Sequence, residues 1–154
     1  GMDKDQIVTV QDWHVERLSI TMQKEDVDAV WGLSHLSPKE ALIMSLAASM
    51  KSFTWLHCGD VGCIWGYGAA SPLAPVACPW LLASPLVHKS PRYFLRASHQ
   101  FYSNLLDRHD VLTNVIDARH TRSLKWIKWC GATVYPATPM GPEGLPFHRH
   151  ETRR

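Results

Sequence analysis

The sequence lacks the features that mark non-globular classes. No apolar run approaches the roughly 20 residues that cross a bilayer, and the first apolar pair, Ile7 and Val8, sits among charges. A membrane span and an export signal are therefore not expected. The net charge is only +2, so no strongly one-signed surface advertises nucleic acid. The four cysteines, Cys58, Cys63, Cys78 and Cys130, show no paired C-x-x-C spacing, which leaves reduced thiols as the reading. No internal repeat appears. What remains is a composition that is 45% hydrophobic, 10% aromatic and 19% charged, outside the highly charged, aromatic-poor range of disordered chains. At 154 residues the chain suits one domain, burying roughly two thirds of its unfolded surface.

The periodicity predicts alternating helices and strands. Thr9 and Asp12 offer N-cap oxygens to a first helix through Val15, Leu18 and Met22. A second pattern places Val27, Val30 and Trp31 on one face. Ser37, Pro38 and Glu40 form a capping box with proline at the first helical position, ahead of Leu42, Ile43, Leu46 and Met50. The period then shortens to two: Phe53, Trp55 and His57 alternate with Thr54 and Leu56, and Val61 to Ala70 reads as the return strand. Pro72, Pro75 and Pro79 predict a loop, and Trp80 to Ala83 a short, doubly covered strand. Phe94 to Leu106 reads as a long helix, Val111 to Asp117 as a strand, Leu124 to Cys130 as a helix closed by Gly131, and Thr133 to Tyr135 as a last strand. The tail from Pro136, residues 136–154, is expected as an ordered arm with a frayed tip, its Phe147 packed down. Together these elements predict a single α/β domain over residues 2–154, a mixed central sheet with helices on both faces.

That order of elements resembles the GNAT superfamily, the acyl-CoA N-acyltransferases. Asn114 and Val115 on a strand, His120 opening a helix and Gly131 closing it carry the local match, although typical members open that helix with Asn and follow the glycine with Phe. A longer pattern resembles an internal virion protein family of short-tailed bacteriophages. It runs through Asp26 to Trp31, Phe94-Leu95-Arg96, Asn114 to Arg119, Leu124 to Gly131 and Glu143-Gly144-Leu145-Pro146-Phe147. The resemblance implies a CoA groove built from Leu82, Ser84, His88, Lys89, Ser90, Arg92, Tyr93 and His120.

Here the chain departs from the superfamily pattern. The phosphate turn of working members, Q/R-x-x-G-x-G/A, presents bare amides at a helix N-terminus, whereas this chain has His88-Lys89-Ser90-Pro91-Arg92-Tyr93, with neither glycine and no N–H at Pro91. The tyrosine that commonly protonates the leaving thiolate is replaced by Ile127. His88, Asp117 and Tyr135 are the remaining candidates for proton transfer.

Other motifs carry less. His148 and His150 form an H-x-H pair and His57 adjoins Cys58, but no third ligand lies nearby and no metal site is expected. Arg119, Arg122, Lys125 and Lys128 form a basic run, and Trp126 and Trp129 between them read as a packed face, with base or adenine stacking as the alternative. Two functions stay open. One is a phage-encoded protein made in the bacterial cytoplasm and packaged in the virion, contacting other virion proteins or its own copies, with CoA chemistry weakened or lost. The other is an acetyl-CoA-dependent N-acetyltransferase acting on an amine. Neither involves a membrane or nucleic acid.

Overall fold

The extended segments assemble into one mixed sheet. In the computed structural model, which describes residues 4–154, the elements in chain order are β1 (Asp5–Val8), α1 (Asp12–Thr21), α2 (Lys24–Ser34), α3 (Pro38–Ala47), β2 (Lys51–His57), β3 (Asp60–Ala69) and β4 (Val76–Ala83). A 3-10 turn (Pro85–His88) leads to α4 (Pro91–Leu106), β5 (Val111–Asp117), α5 (Thr121–Trp129), β6 (Thr133–Val134), β7 (Thr138–Met140) and β8 (Leu145–Arg153). The sheet order is β1-β2-β3-β4-β5-β8-β6, with β7 also paired to β8. All neighbours are antiparallel except β4 and β5, which run parallel around the α4 crossover.

Several boundaries differ from the sequence reading. Asp5–Val8 forms an edge strand against β2, because its alternation continues a sheet whose partner is 50 residues away. Helix α1 is capped not by Thr9 or Asp12 but by Gln11, whose N–H donates to His14 Nδ1 at 2.9 Å. Ser37 caps α3 as expected, with reciprocal bonds to Glu40, yet Ile43 is exposed and Met50 falls beyond the helix. The tail is no arm: β8 inserts into the sheet between β5 and β6 and buries Phe147 to 2% exposure. Gly141 permits this return. Its φ is +75°, and a Cβ there would sit 2.1 Å from the carbonyl oxygen of Gly32.

The two faces of the sheet carry separate cores. Leu18, Leu42, Val61, Ile64 and Leu82 pack under α1–α3, while Tyr102, Leu105 and Ile127 of α4 and α5 pack on Ala77 and Leu112. A β-bulge between Trp55 and Leu56, opposite Gly62, turns Cys63 and Trp65 toward an aromatic cluster with Trp55, Phe94 and Phe101 under α4.

Pro79 decides where the central ladder ends. Strands β4 and β5 share only two rungs, Val76 with Val111 and Ala77 with Leu112. Ser84 donates its N–H to Gly62 of β3 and Ala83 points its own away from β3, so odd-numbered residues of β4 face β5. The next N–H toward β5 would be that of Pro79, which has none. The ladder stops there, and the strands diverge toward their C-terminal ends.

Candidate active site between the diverging strands

One side chain spans the split. Asn114 Nδ2 donates to the Pro79 carbonyl at 2.7 Å, and its Oδ1 accepts the N–H of Val115 at 2.7 Å, so an amide side chain replaces the missing rung. Beyond it, Leu81 directs its N–H and C=O into the gap by the same alternation, with no rung to β5. A cavity of about 330 Å3 occupies the gap and passes through the sheet. Val30, Trp80 and Phe147 wall it on the α2 side, and Leu81, Phe94 and Trp126 on the side of α4 and α5.

Four ionisable groups line this aromatic cavity beside Cys63 and two tyrosines. Asp26 of α2 is 5% exposed, and its Oδ2 accepts the Ala83 N–H at 2.8 Å and Gln23 Nε2 at 3.0 Å. Its Oδ1 lies 2.7 Å from His120 Nε2. His120 Nδ1 in turn faces the Ser123 N–H at 3.3 Å, and its Nε2 also lies 3.1 Å from the Ser123 hydroxyl. Asp117, at the end of β5, is paired differently: burial opposes its charge, but hydrogen bonds from the Arg119 side chain and backbone hold its carboxyl below the usual carboxylate range. His150, on β8, is pushed down to about 4 by burial, and its Nδ1 has no partner.

The residues singled out in the sequence are only partly brought together. Leu82, Tyr93, Asp117 and His120 line the cavity. Ser84 does not: its hydroxyl donates to the Val61 carbonyl and caps the 3-10 turn. Ser90 turns away as well, bonding Asp5 Oδ2 at 3.1 Å beside His57, so it makes no cap bond to α4. Tyr135 lies outside, with its hydroxyl on Glu151 and its ring under the Arg149 guanidinium. His88 accepts a hydrogen bond from Arg122, and burial together with that guanidinium holds its pKa down. Asp26 was missed as a site residue, having entered only as the start of the Asp26 to Trp31 stretch of the phage-family resemblance.

A basic rim marks one end of the cleft. Lys89, Arg92 and Arg122 are exposed around the start of α4 and α5, where the helix dipoles present their positive ends. The turn from His88 to Tyr93 holds no glycine and Pro91 supplies no N–H, so anion binding here falls to side-chain charge and the uncapped α4 terminus more than to a ring of amides. The chemistry of this donor set fits a polyanionic cofactor. Elsewhere, no group of three His, Cys, Asp or Glu side chains suited to a metal occurs among the described residues, and none of their helices is long and apolar enough to cross a membrane. Of the two tryptophans on α5, Trp126 packs against Phe94 and Tyr102, whereas Trp129 is exposed.

A mixed sheet split between its parallel central strands, with a through-going cleft at the split, defines the fold of the GNAT acyltransferases. Solved structures agree. An N-acetyltransferase from Staphylococcus aureus Mu50 superposes with a TM-score of 0.70 at 11% identity, covering 98% of this chain and 99% of that one. The ribosomal L7/L12 alpha-N-protein acetyltransferase RimL, in complex with coenzyme A, gives 0.68 at 7% identity over 99% and 95%. Spermidine N-acetyltransferase from Vibrio cholerae, in complex with CoA and spermine, gives 0.70 at 6% identity over 97% and 95%. No protein-family model and no curated protein matches the sequence. At these identities the likeness is one of fold.

Proposed function

We propose that this protein is an N-acyltransferase that takes its acyl group from a CoA thioester and delivers it to an amine. The observation that carries the reading is the split itself: Pro79 ends the β4–β5 ladder and leaves the Leu81 N–H and C=O facing a cavity that crosses the sheet. An acyl-CoA supplies an activated carbonyl and a thiolate leaving group. The Leu81 amide is the donor suited to a thioester carbonyl, in an aromatic, partly enclosed setting where one hydrogen bond counts for more than in bulk water. Lys89, Arg92 and Arg122 are suited to its phosphates. With Ile127 where a tyrosine is common, that position supplies no proton to the sulfur, and solvent is the donor suited to it.

Calorimetry with acetyl-CoA tests this. Binding with a dissociation constant in the micromolar range, weakened about tenfold in Arg122→Ala, is expected, together with amine-dependent release of free thiol. Absence of binding at 1 mM, a level worth only about −4 kcal/mol, overturns the reading.

A second reading is a virion component that keeps the scaffold for its contacts. It draws on the sequence resemblance and on the large apolar side chains left exposed on α1–α3, among them Ile20, Trp31, Ile43 and Met44. Loss of particle assembly on replacing these with polar residues, with acetyl-CoA binding absent, is the result that selects it.

A further inference from the structure

The net charge of +2 conceals a segregated surface. On α1–α3 acids outnumber bases, and Arg17, Lys24 and Lys39 each meet a carboxylate. On the opposite face of the sheet, the turn before α4 and the outer sides of α4 and α5 expose Lys89, Arg92, Arg96, Arg122, Lys125 and Lys128, while neither helix contains an Asp or Glu. Among the described residues none of these six cations has a carboxylate partner; Arg122 meets only the His88 ring. Arg92 and Arg96 stand one turn apart, and Arg122, Lys125 and Lys128 follow at three-residue steps, spacings at which like charges repel and weaken a helix. Packing does not require this arrangement, because all six side chains face solvent. An aromatic ring lies among them. Trp129 is 54% exposed, whereas the other large apolar residues of the two helices are at least partly buried, and it meets His99 of α4 edge to face with ring centroids 6.4 Å apart.

We infer that this face binds single-stranded nucleic acid, with phosphates on the cations and a base against the Trp129 ring. Successive phosphates match cations repeated along two adjacent helices, and release of their counterions supplies affinity. An unpaired base supplies the flat partner that an exposed indole suits. A membrane surface fits less well, because one exposed ring is no apolar stripe to enter lipid. An acidic polypeptide matches the charges but has no comparable call on the ring. The inference does not rest on the acyl-transfer reading: Lys89, Arg92 and Arg122 form the rim assigned there, whereas Arg96, Lys125, Lys128 and Trp129 lie farther along the helices and have no part in it.

The test is fluorescence anisotropy of a labelled oligothymidylate with the whole protein. Micromolar binding is expected at about 50 mM salt, with a log–log salt slope of about −3 for roughly four phosphate contacts on a single strand. Lys125→Ala combined with Lys128→Ala should bring that slope to about −1.5, since two contacts are lost. Trp129→Ala should weaken binding at least about fivefold and leave the slope unchanged, because stacking releases no counterions. The same strand within a duplex, where its bases are covered, should not respond to Trp129→Ala. All three side chains are exposed, so an unchanged melting temperature in each variant is expected and separates lost binding from lost folding. Absence of binding at about 100 μM protein overturns the inference, as does a Trp129→Ala variant that binds the strand like wild type. Displacement by polyglutamate as effective as by unlabelled strand would assign the face to acidic polypeptides instead. Complete displacement by free CoA would make the strand a stand-in for the cofactor's own phosphates, and overturns the inference while supporting the acyl-transfer reading; strand binding without acetyl-CoA binding would do the reverse.

Discussion

Replacing Asn114 by alanine removes the hydrogen bond that bridges the diverging strands and the one that its side chain accepts from its own strand. The Pro79 carbonyl and the Val115 N–H then lose partners that stand at 2.7 Å in each case. A buried polar group left without a partner costs about 1–3 kcal/mol, and because the adjacent cavity admits water, the lower half of that range is the appropriate figure for each group. The sum is about 2–4 kcal/mol. For a chain of this size 1 kcal/mol corresponds to roughly 2–4 °C, so the melting temperature should fall by about 4–16 °C. Asn114→Asp separates the two bonds: its carboxylate still accepts from Val115 but opposes the Pro79 oxygen. It should therefore be less stable than Asn114→Ala, and protonation at low pH should narrow the difference. Urea denaturation at pH 7 and pH 4 measures both effects. If Asn114→Ala lies within about 0.5 kcal/mol of wild type, or Asn114→Asp is the more stable variant, the amide is not a strut and the split is held open by other contacts.

Other perturbations test the frame around the site. Phe147→Ala should cost about 3–5 kcal/mol in urea denaturation, because the ring is 2% exposed on a strand in the middle of the sheet; a loss below 1 kcal/mol would mean that β8 is not anchored there. Gly141→Ala should cost about 1–3 kcal/mol from its positive φ alone, and more from the contact with Gly32, and should lower the melting temperature accordingly. The buried His150 gives a pH dependence of known sign. Its folded pKa of about 4 lies below the ordinary 6.5, so between these values the unfolded chain binds more protons. Its contribution to stability is full above pH 6.5 and is lost as the pH falls toward 4, amounting to about 3 kcal/mol. The difference in unfolding free energy between wild type and His150→Gln should follow that course, and a difference that does not change from pH 7 to pH 4.5 would refute it.

The fold was largely legible because its signals are local. The capping box of Ser37 and Glu40, the alternation from Phe53 to His57 and the glycine after Cys130 each act within a few residues, and each appears where the periodicity placed it. Signals failed where a tertiary partner overrode composition. Pro79 read as a loop marker, yet it lies within β4, tolerated because its missing N–H faces β5 just beyond the last rung of that ladder. The segment after Gly144 read as an arm because prolines and glycines surround it, but seven of its residues pair with β5, a constraint that no local pattern records.

The site was less legible for the same reason carried further. Ser84 and Ser90 occupy the right stretch of chain, but their hydroxyls face Val61 and Asp5, because a side chain at a turn follows whichever partner is nearest in space. Tyr135 was placed by elimination and lies outside the cleft. Asp26 is the reverse case: nothing around it in sequence distinguishes it from Glu25 or Asp28, and its meaning comes from His120, 94 positions later, and from the Ala83 N–H. Pro79 connects these observations. By withholding one N–H it ends the ladder, which opens the cleft; Asn114 then spans its narrow end, and Asp26 and His120 close part of the wide end between Ala83 and the start of α5. The chain has thus replaced backbone pairing with side-chain pairing on both sides of Leu81, and leaves the Leu81 backbone as the place in the split where a ligand can complete the sheet.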